Sequence, residues 1–211
     1  MFVPLLIGGV GTFLSAALGQ TFVQPGGVLA LMTLWTFLLA GFVYFARRVP
    51  IRSLFAFRAS DVVWGVGLAA VLRQFEGILN GVASAPFPVA TSPSVVAWFG
   101  EVVVPIGVIG PVVEELYFRA FLTVAVFRLL APRMGRVIAG VAATGFSAGA
   151  FVLLHTCFAP LGLIDAIVLL AVGATCAVLV TLTGRIWGAV LLHASYNILY
   201  VTVAALGAIA A

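Results

Sequence analysis

The sequence predicts an all-α polytopic integral membrane protein of seven or eight transmembrane helices, with no sheet. Three observations carry that prediction. Hydrophobic residues make up 64% of the 211-residue chain and charged residues only 8%, against roughly 45–50% and about 25% in soluble domains. The mean hydropathy is +1.29. The apolar residues fall in continuous runs of about 20, the length that crosses a bilayer as a helix. A transmembrane barrel would instead alternate over segments of about ten residues. Disorder, collagen and a disulfide scaffold are excluded by the same composition, and Cys157 and Cys176 both lie in apolar runs.

The runs follow in order. The first, 2–22, has no basic stretch before it and no small-residue cleavage site, so it is expected to be a membrane helix rather than a removable signal peptide. It ends at Gln24-Pro25-Gly26-Gly27. The second, 28–46, stops at Arg47-Arg48. A polar stretch follows with Arg47, Arg48, Arg52, Arg58 and a closing Ser60-Asp61, the best cytoplasmic loop. The third run, 62–82, leads into a Ser/Pro-rich loop at 84–94. The stretch 95–130 is too long for one span and is broken by Pro105 and Pro111. Arg128, Arg133 and Arg136 end it. Runs 137–158, 163–183 and 186–208 complete the chain. Seven spans put every Arg-rich loop on one side; eight do not. The net charge of +4 and pI of about 9.7 therefore reflect orienting arginines, not a nucleic-acid partner. The expected organisation is one membrane domain, with N-terminal helices over 1–100 and a catalytic helical core over 101–211.

Ionisable groups inside spans are costly and mark function by default. They are few: Arg73, Gln74, Glu76 and Asn80 in the third run; Glu101, Glu114, Glu115 and Arg119 in the broken stretch; then His155, His193 and Asn197. Residues four apart share a helix face, so Glu115 can pair with Arg119 while Glu114 looks elsewhere. Pro111 suits a first helical position, which would set both carboxylates near a helix N-terminus, where the macrodipole favours negative charge. His193 and Asn197, also four apart, can aim N–H donors at one point, as an oxyanion hole requires. Taken singly, each has a plainer structural reading: a neutralised Glu pair, a His–Asn bond gluing helices, a satisfied interior His. Taken together, carboxylate, imidazole and donor pair compose a water-activating acyl-hydrolysis site. Arg73 and Glu76, three apart, read as an intrahelical ion pair or as a low-grade substrate-binding pair. Straight helices would leave the two histidines at different depths, so tilted, broken or re-entrant segments are expected around them.

These residues fall into a pattern that resembles the CPBP family of CAAX proteases and bacteriocin-processing enzymes, also called the Abi or type II CAAX prenyl protease family. Its motifs E-E-x-x-x-R, F-x-x-x-H and H-x-x-x-N match Glu114-Glu115…Arg119, Phe151…His155 and His193…Asn197. Thr183-Gly184-Arg185-Ile186-Trp187 is similar to the family's lead into the last motif, with Arg185 in place of the usual Ser. Ala120 replaces a Gly common after the motif Arg. The resemblance covers about residues 111–200. It implies an intramembrane endopeptidase: Glu114 and His155 activate water, His193 and Asn197 form the oxyanion hole, and Glu115 and Arg119 support the helix face. It implies a membrane-associated peptide or protein substrate, prenylated or of bacteriocin type, and a bacterial or archaeal cell membrane. No cofactor is expected, because no H-E-x-x-H ligand pair occurs. The alternative is a zinc protease with Glu114, His155 and His193 as ligands. An alternative of another class is a non-proteolytic scaffold, immunity protein or transporter with a path through Arg73 and Glu76. Cys157 and His155, two apart, diverge on a helix and do not make a Cys–His pair.

Overall fold

The computed structural model describes residues 2–21, 26–81 and 98–210. The loop expected at 84–94 and the side chain of Glu101 lie outside the described residues. Within them the protein is an all-α polytopic membrane protein. Six helical stretches are long and apolar enough to cross a membrane. The outward faces are apolar, with Phe2, Val137 and Leu182 all about four-fifths exposed. A water-soluble monomer rarely exposes so much apolar surface.

Helices α1 (Phe2–Thr21) and α2 (Gly26–Ala46) form a hairpin, fastened by the Ser15 hydroxyl donating to the Ala30 carbonyl at 2.5 Å. A short 3₁₀ turn, Arg52–Phe55, sits in the Arg-rich connection before α3 (Ala59–Leu79). Two π-helical turns, Phe99–Val103 and Pro105–Ile109, lead into the short α4 (Gly110–Glu115) and a third π-helical stretch, Leu116–Thr123. Then come α5 (Val124–Thr156), α6 (Leu163–Thr183) and α7 (Trp187–Ala210).

The sequence reading separated 95–130 from 137–158. The structure joins them in one helical stretch, Pro105–Thr156, interrupted at Gly135, whose φ of 78° and ψ of 164° no helix contains. Glycine alone reaches that conformation cheaply, and Pro132 sits just before it. Each arm is of spanning length: the 136–156 arm alone rises about 30 Å at 1.5 Å per residue. The seven or eight spans expected thus correspond to six stretches, one of them bent.

At the Arg-rich end the segments are tied by specific bonds. The Leu54 carbonyl accepts the Ile186 N–H at 2.8 Å, and the Phe55 carbonyl accepts the Trp187 indole N–H at 2.9 Å. Arg185 pairs with the buried Asp61 at 2.6 Å, so the residue that departs from the family pattern clamps the start of α7 to α3. Helix α3 then runs beside α7 in close contact. A Cβ on Gly65 would stand 2.7 Å from the Leu191 Cβ and 3.0 Å from the Gly188 carbonyl oxygen. Membrane helices, lacking a hydrophobic drive toward each other, use such small-residue approaches to gain van der Waals contact. Gly65→Ala should therefore destabilise the protein by about 1–3 kcal/mol. Gly67→Ala, whose Cβ meets nothing within 4 Å, should be neutral or gain up to about 1 kcal/mol. Thermal unfolding of both variants in detergent checks the contrast; equal midpoints would contradict it.

Candidate active site

The expectation that Pro111 opens a helix is not met. Ile109 and Gly110 have helical torsions (φ/ψ −67/−50° and −53/−58°), and the chain is already helical before them. No helix N-terminus therefore supports Glu114 or Glu115. The proline is accommodated differently. The Gly110 N–H reaches back five residues to the Pro105 carbonyl, the wide register of a π turn. Continued by one residue, that register would ask Pro111 for an N–H it lacks, leaving the Ile106 carbonyl without its donor. The Asn197 side-chain amide supplies one at 2.8 Å. Side-chain rescue of this kind is how membrane helices tolerate proline.

One turn on, three ionisable groups meet in the protein interior. Glu115 and Arg119 are 0% exposed and His193 is 4% exposed. The Arg119 Nε lies 3.1 Å from Glu115 Oε2, as the four-residue spacing predicts. Glu115 Oε1 lies 2.9 Å from His193 Nδ1, so that nitrogen carries the proton and donates. Arg119 also donates from Nη2 to the Gly173 carbonyl at 3.1 Å, and its guanidinium lies 4.8 Å from the Phe151 ring centroid. The cluster thus binds the π-helical stretch, α6 and α7 to one another. The wide turn is kept closed by its own acceptor: the Phe118 carbonyl takes the hydroxyls of Thr123 at 3.0 Å and Ser147 at 2.9 Å.

Glu114, on the other side of the helix from Arg119, faces a cavity of about 160 Å³ lined also by His155, His193 and Asn197. Its Oε2 is 3.9 Å from His193 Nε2. His155 Nδ1 donates to the Phe151 carbonyl at 2.9 Å, which leaves its Nε2 for another partner. Phe151 sets the two histidines side by side. Its ring lies 4.6 Å from that of His155 and 5.5 Å from that of His193. The two histidines, which straight helices would leave at different depths, thus flank one ring and line one cavity.

Two cavity residues escaped the sequence reading. Tyr196 is three residues from His193 and shares its face, a signal available in the spacing. Trp35 comes from α2, a uniformly apolar helix that offers no signal; its indole nitrogen is buried without a partner. Arg73 and Glu76 do not line this cavity. They line an adjoining one of about 290 Å³ that shares Tyr196 and Asn197 with it. Arg73 pairs with Glu76, donates to the Tyr196 carbonyl at 2.7 Å and lies 3.7 Å from the Tyr196 ring centroid. The Tyr196 hydroxyl donates to Glu76 at 2.5 Å.

Zinc would need three converging ligands. Among the described residues no group of three His, Cys, Asp or Glu is disposed to hold a metal ion. His193 Nδ1 meets Glu115 and His155 Nδ1 a backbone carbonyl, so each ring has only its Nε2 left for a further partner.

Removing one partner of a buried ion pair strands the other in low dielectric. Glu115→Ala should cost about 3–5 kcal/mol. Arg119→Met should also destabilise, and the double variant should cost less than the two singles combined. Denaturant unfolding of the three variants measures the coupling, and strict additivity would contradict it.

The chain was compared with known families, curated proteins and solved structures. No curated protein and no solved structure matches it. The type II CAAX prenyl endopeptidase Rce1-like family matches residues 95–199, a range that contains all three motifs and every bond of the buried cluster. It leaves out α1, α2 and α3, and with them Trp35, Arg73 and Glu76. Through residues 95–199, the chain belongs to the type II CAAX prenyl endopeptidase Rce1-like family.

Proposed function

We propose that this protein, an intramembrane endopeptidase in its general class, hydrolyses a peptide bond of a membrane-associated substrate with water activated by Glu114 and His155. The observation that carries the reading is the meeting of Glu114, His155, His193 and Asn197, four groups costly in lipid, around one cavity. Water held between the Glu114 carboxylate and His155 Nε2 gives its proton to the carboxylate as its oxygen attacks the scissile carbonyl. The developing oxyanion takes hydrogen bonds from His193 and Asn197. Collapse of the tetrahedral intermediate breaks the C–N bond, and the proton held by Glu114 passes to the leaving amine.

Glu115 and Arg119 act through His193. The Glu115 contact at His193 Nδ1 turns Nε2 toward Glu114, and an N–H on Nε2 is the donor that an oxyanion needs. Asn197 spends one amide hydrogen on Ile106 and keeps the second for the oxyanion, so its donor is fixed in place before substrate arrives. The reading is metal-free, supported by the arrangement of donors. The family's description as a prenyl endopeptidase supports a lipid-bearing peptide as substrate. A bacteriocin-type leader in a bacterial or archaeal membrane is a second source of the same chemistry. The Arg73–Glu76 cavity, continuous with the first, would receive the substrate chain beyond the cleaved bond.

The test is cleavage of a lipidated peptide library by the purified protein in proteoliposomes. Glu114→Gln should abolish cleavage and keep the unfolding midpoint near that of the wild type. Undiminished cleavage would end the assignment of Glu114. Asn197→Ala should lower turnover about a hundred- to a thousandfold, and should also lower stability because the Ile106 carbonyl loses its donor. Chelators should leave turnover unchanged; loss of activity restored by added zinc would overturn the metal-free mechanism.

A further inference from the structure

A second cavity system lies away from the candidate active site, where the bend of α5 meets the end of α6. A pocket of about 200 Å³ there is lined by Arg128, Arg136, Phe127, Thr181 and Gly184. It opens into a groove of about 400 Å³ that shares Phe127, Arg136 and Thr181 with it. The groove is walled by Val137 and Val141 of α5 and by Val178 and Leu182 of α6, and Gly140 contributes no side chain to it. Val137, Val141 and Leu182 are 70–80% exposed, so the groove faces the bilayer.

The charges at its mouth are uncompensated. The carboxylate ion pairs among the described residues go to Arg73, Arg119, Arg185 and His193, and Asp165 caps the far end of α6. Arg128 is held by one bond to the Pro50 carbonyl at 3.0 Å, and the Arg136 guanidinium lies 5.7 Å from the Phe127 ring centroid. Both keep N–H groups free. Two guanidinium groups at headgroup level match a phosphate. The apolar groove descending from them matches an acyl chain. Basic pockets between membrane helices on the positively charged side select anionic headgroups.

We infer that the α5–α6 groove is a binding site for one anionic glycerophospholipid, its phosphate between Arg128 and Arg136 and an acyl chain along Gly140. The inference does not depend on the proposed proteolysis, because none of these residues lines the catalytic cavity. The occupant is a bilayer lipid rather than free phosphate, since the headgroup pocket continues into apolar space that phosphate alone would leave empty.

The probes are phosphatidylglycerol and phosphatidylcholine with identical acyl chains, offered to the full-length protein in neutral detergent and read by native mass spectrometry. One phosphatidylglycerol should be retained in preference to phosphatidylcholine. Arg128→Gln and Arg136→Gln should each weaken that retention about fivefold. Gly140→Phe should abolish it; a Cβ at Gly140 meets nothing within 4 Å, so the ring enters the groove without displacing the fold. Glycerophosphoglycerol, the headgroup without chains, should not displace the lipid. Equal retention of the two lipids, displacement by the bare headgroup, or wild-type retention by Gly140→Phe would each overturn the assignment. If Gly140→Phe does not fold, Arg136→Gln decides alone, because Arg136 is exposed at the surface.

Discussion

The buried Arg119–Glu115–His193 cluster is the constraint around which the rest of the structure is arranged. An isolated guanidinium in a membrane interior is costly, and Arg119 is 0% exposed. It persists because the Glu115 carboxylate and the Phe118 ring of its own helical stretch, the Gly173 carbonyl of α6 and the Phe151 ring of α5 surround it. The arrangement dictates the neighbours. A Cβ on Gly173 would lie 3.3 Å from Arg119 Nη2 and from the Ala148 Cα, so α6 must be bare where the guanidinium reaches it. Glu115 in turn fixes the His193 ring, which turns Nε2 toward Glu114. A structural ion pair and a polar cavity are two sides of one helix turn.

Irregular backbone does comparable work. In the hydrocarbon region every peptide group needs a partner within the protein, so each break must be repaired locally. The missing N–H of Pro111 is repaired by Asn197, and the carbonyl of Phe118 by Thr123 and Ser147. The first repair brings a side-chain amide to the edge of the cavity and orients it there. The proline and the asparagine are therefore one device, with 85 residues of sequence between Pro111 and Asn197. The long α5 stretch, bent at Gly135, sets Phe151 against His193 of α7.

The charged end of the molecule is built on a different logic. Arg185 and Asp61 neutralise each other and join α3 to the start of α7, whereas Arg128 and Arg136 have no carboxylate among the described residues. Paired charges hold helices together; unpaired ones at the membrane surface attract anionic headgroups. The same end thus closes the bundle and presents it to the lipid.

The sequence by itself determined the membrane class, the helical runs and the chemistry-bearing residues, because lipid makes each polar group expensive and so makes the few that remain conspicuous. The Glu115–Arg119 and Arg73–Glu76 pairs were legible for the same kind of reason, since spacing along one helix decides which side chains can meet. Contacts between helices were not legible. That His193 turns to Glu115, that Asn197 serves Ile106 and that Trp35 reaches the cavity depend on how separate helices pack, which periodicity does not encode. Nor could the pattern reveal that Pro111 lies inside a helix. Proline opens helices in most settings, and only the wide turn before it and the amide opposite made its interior position affordable.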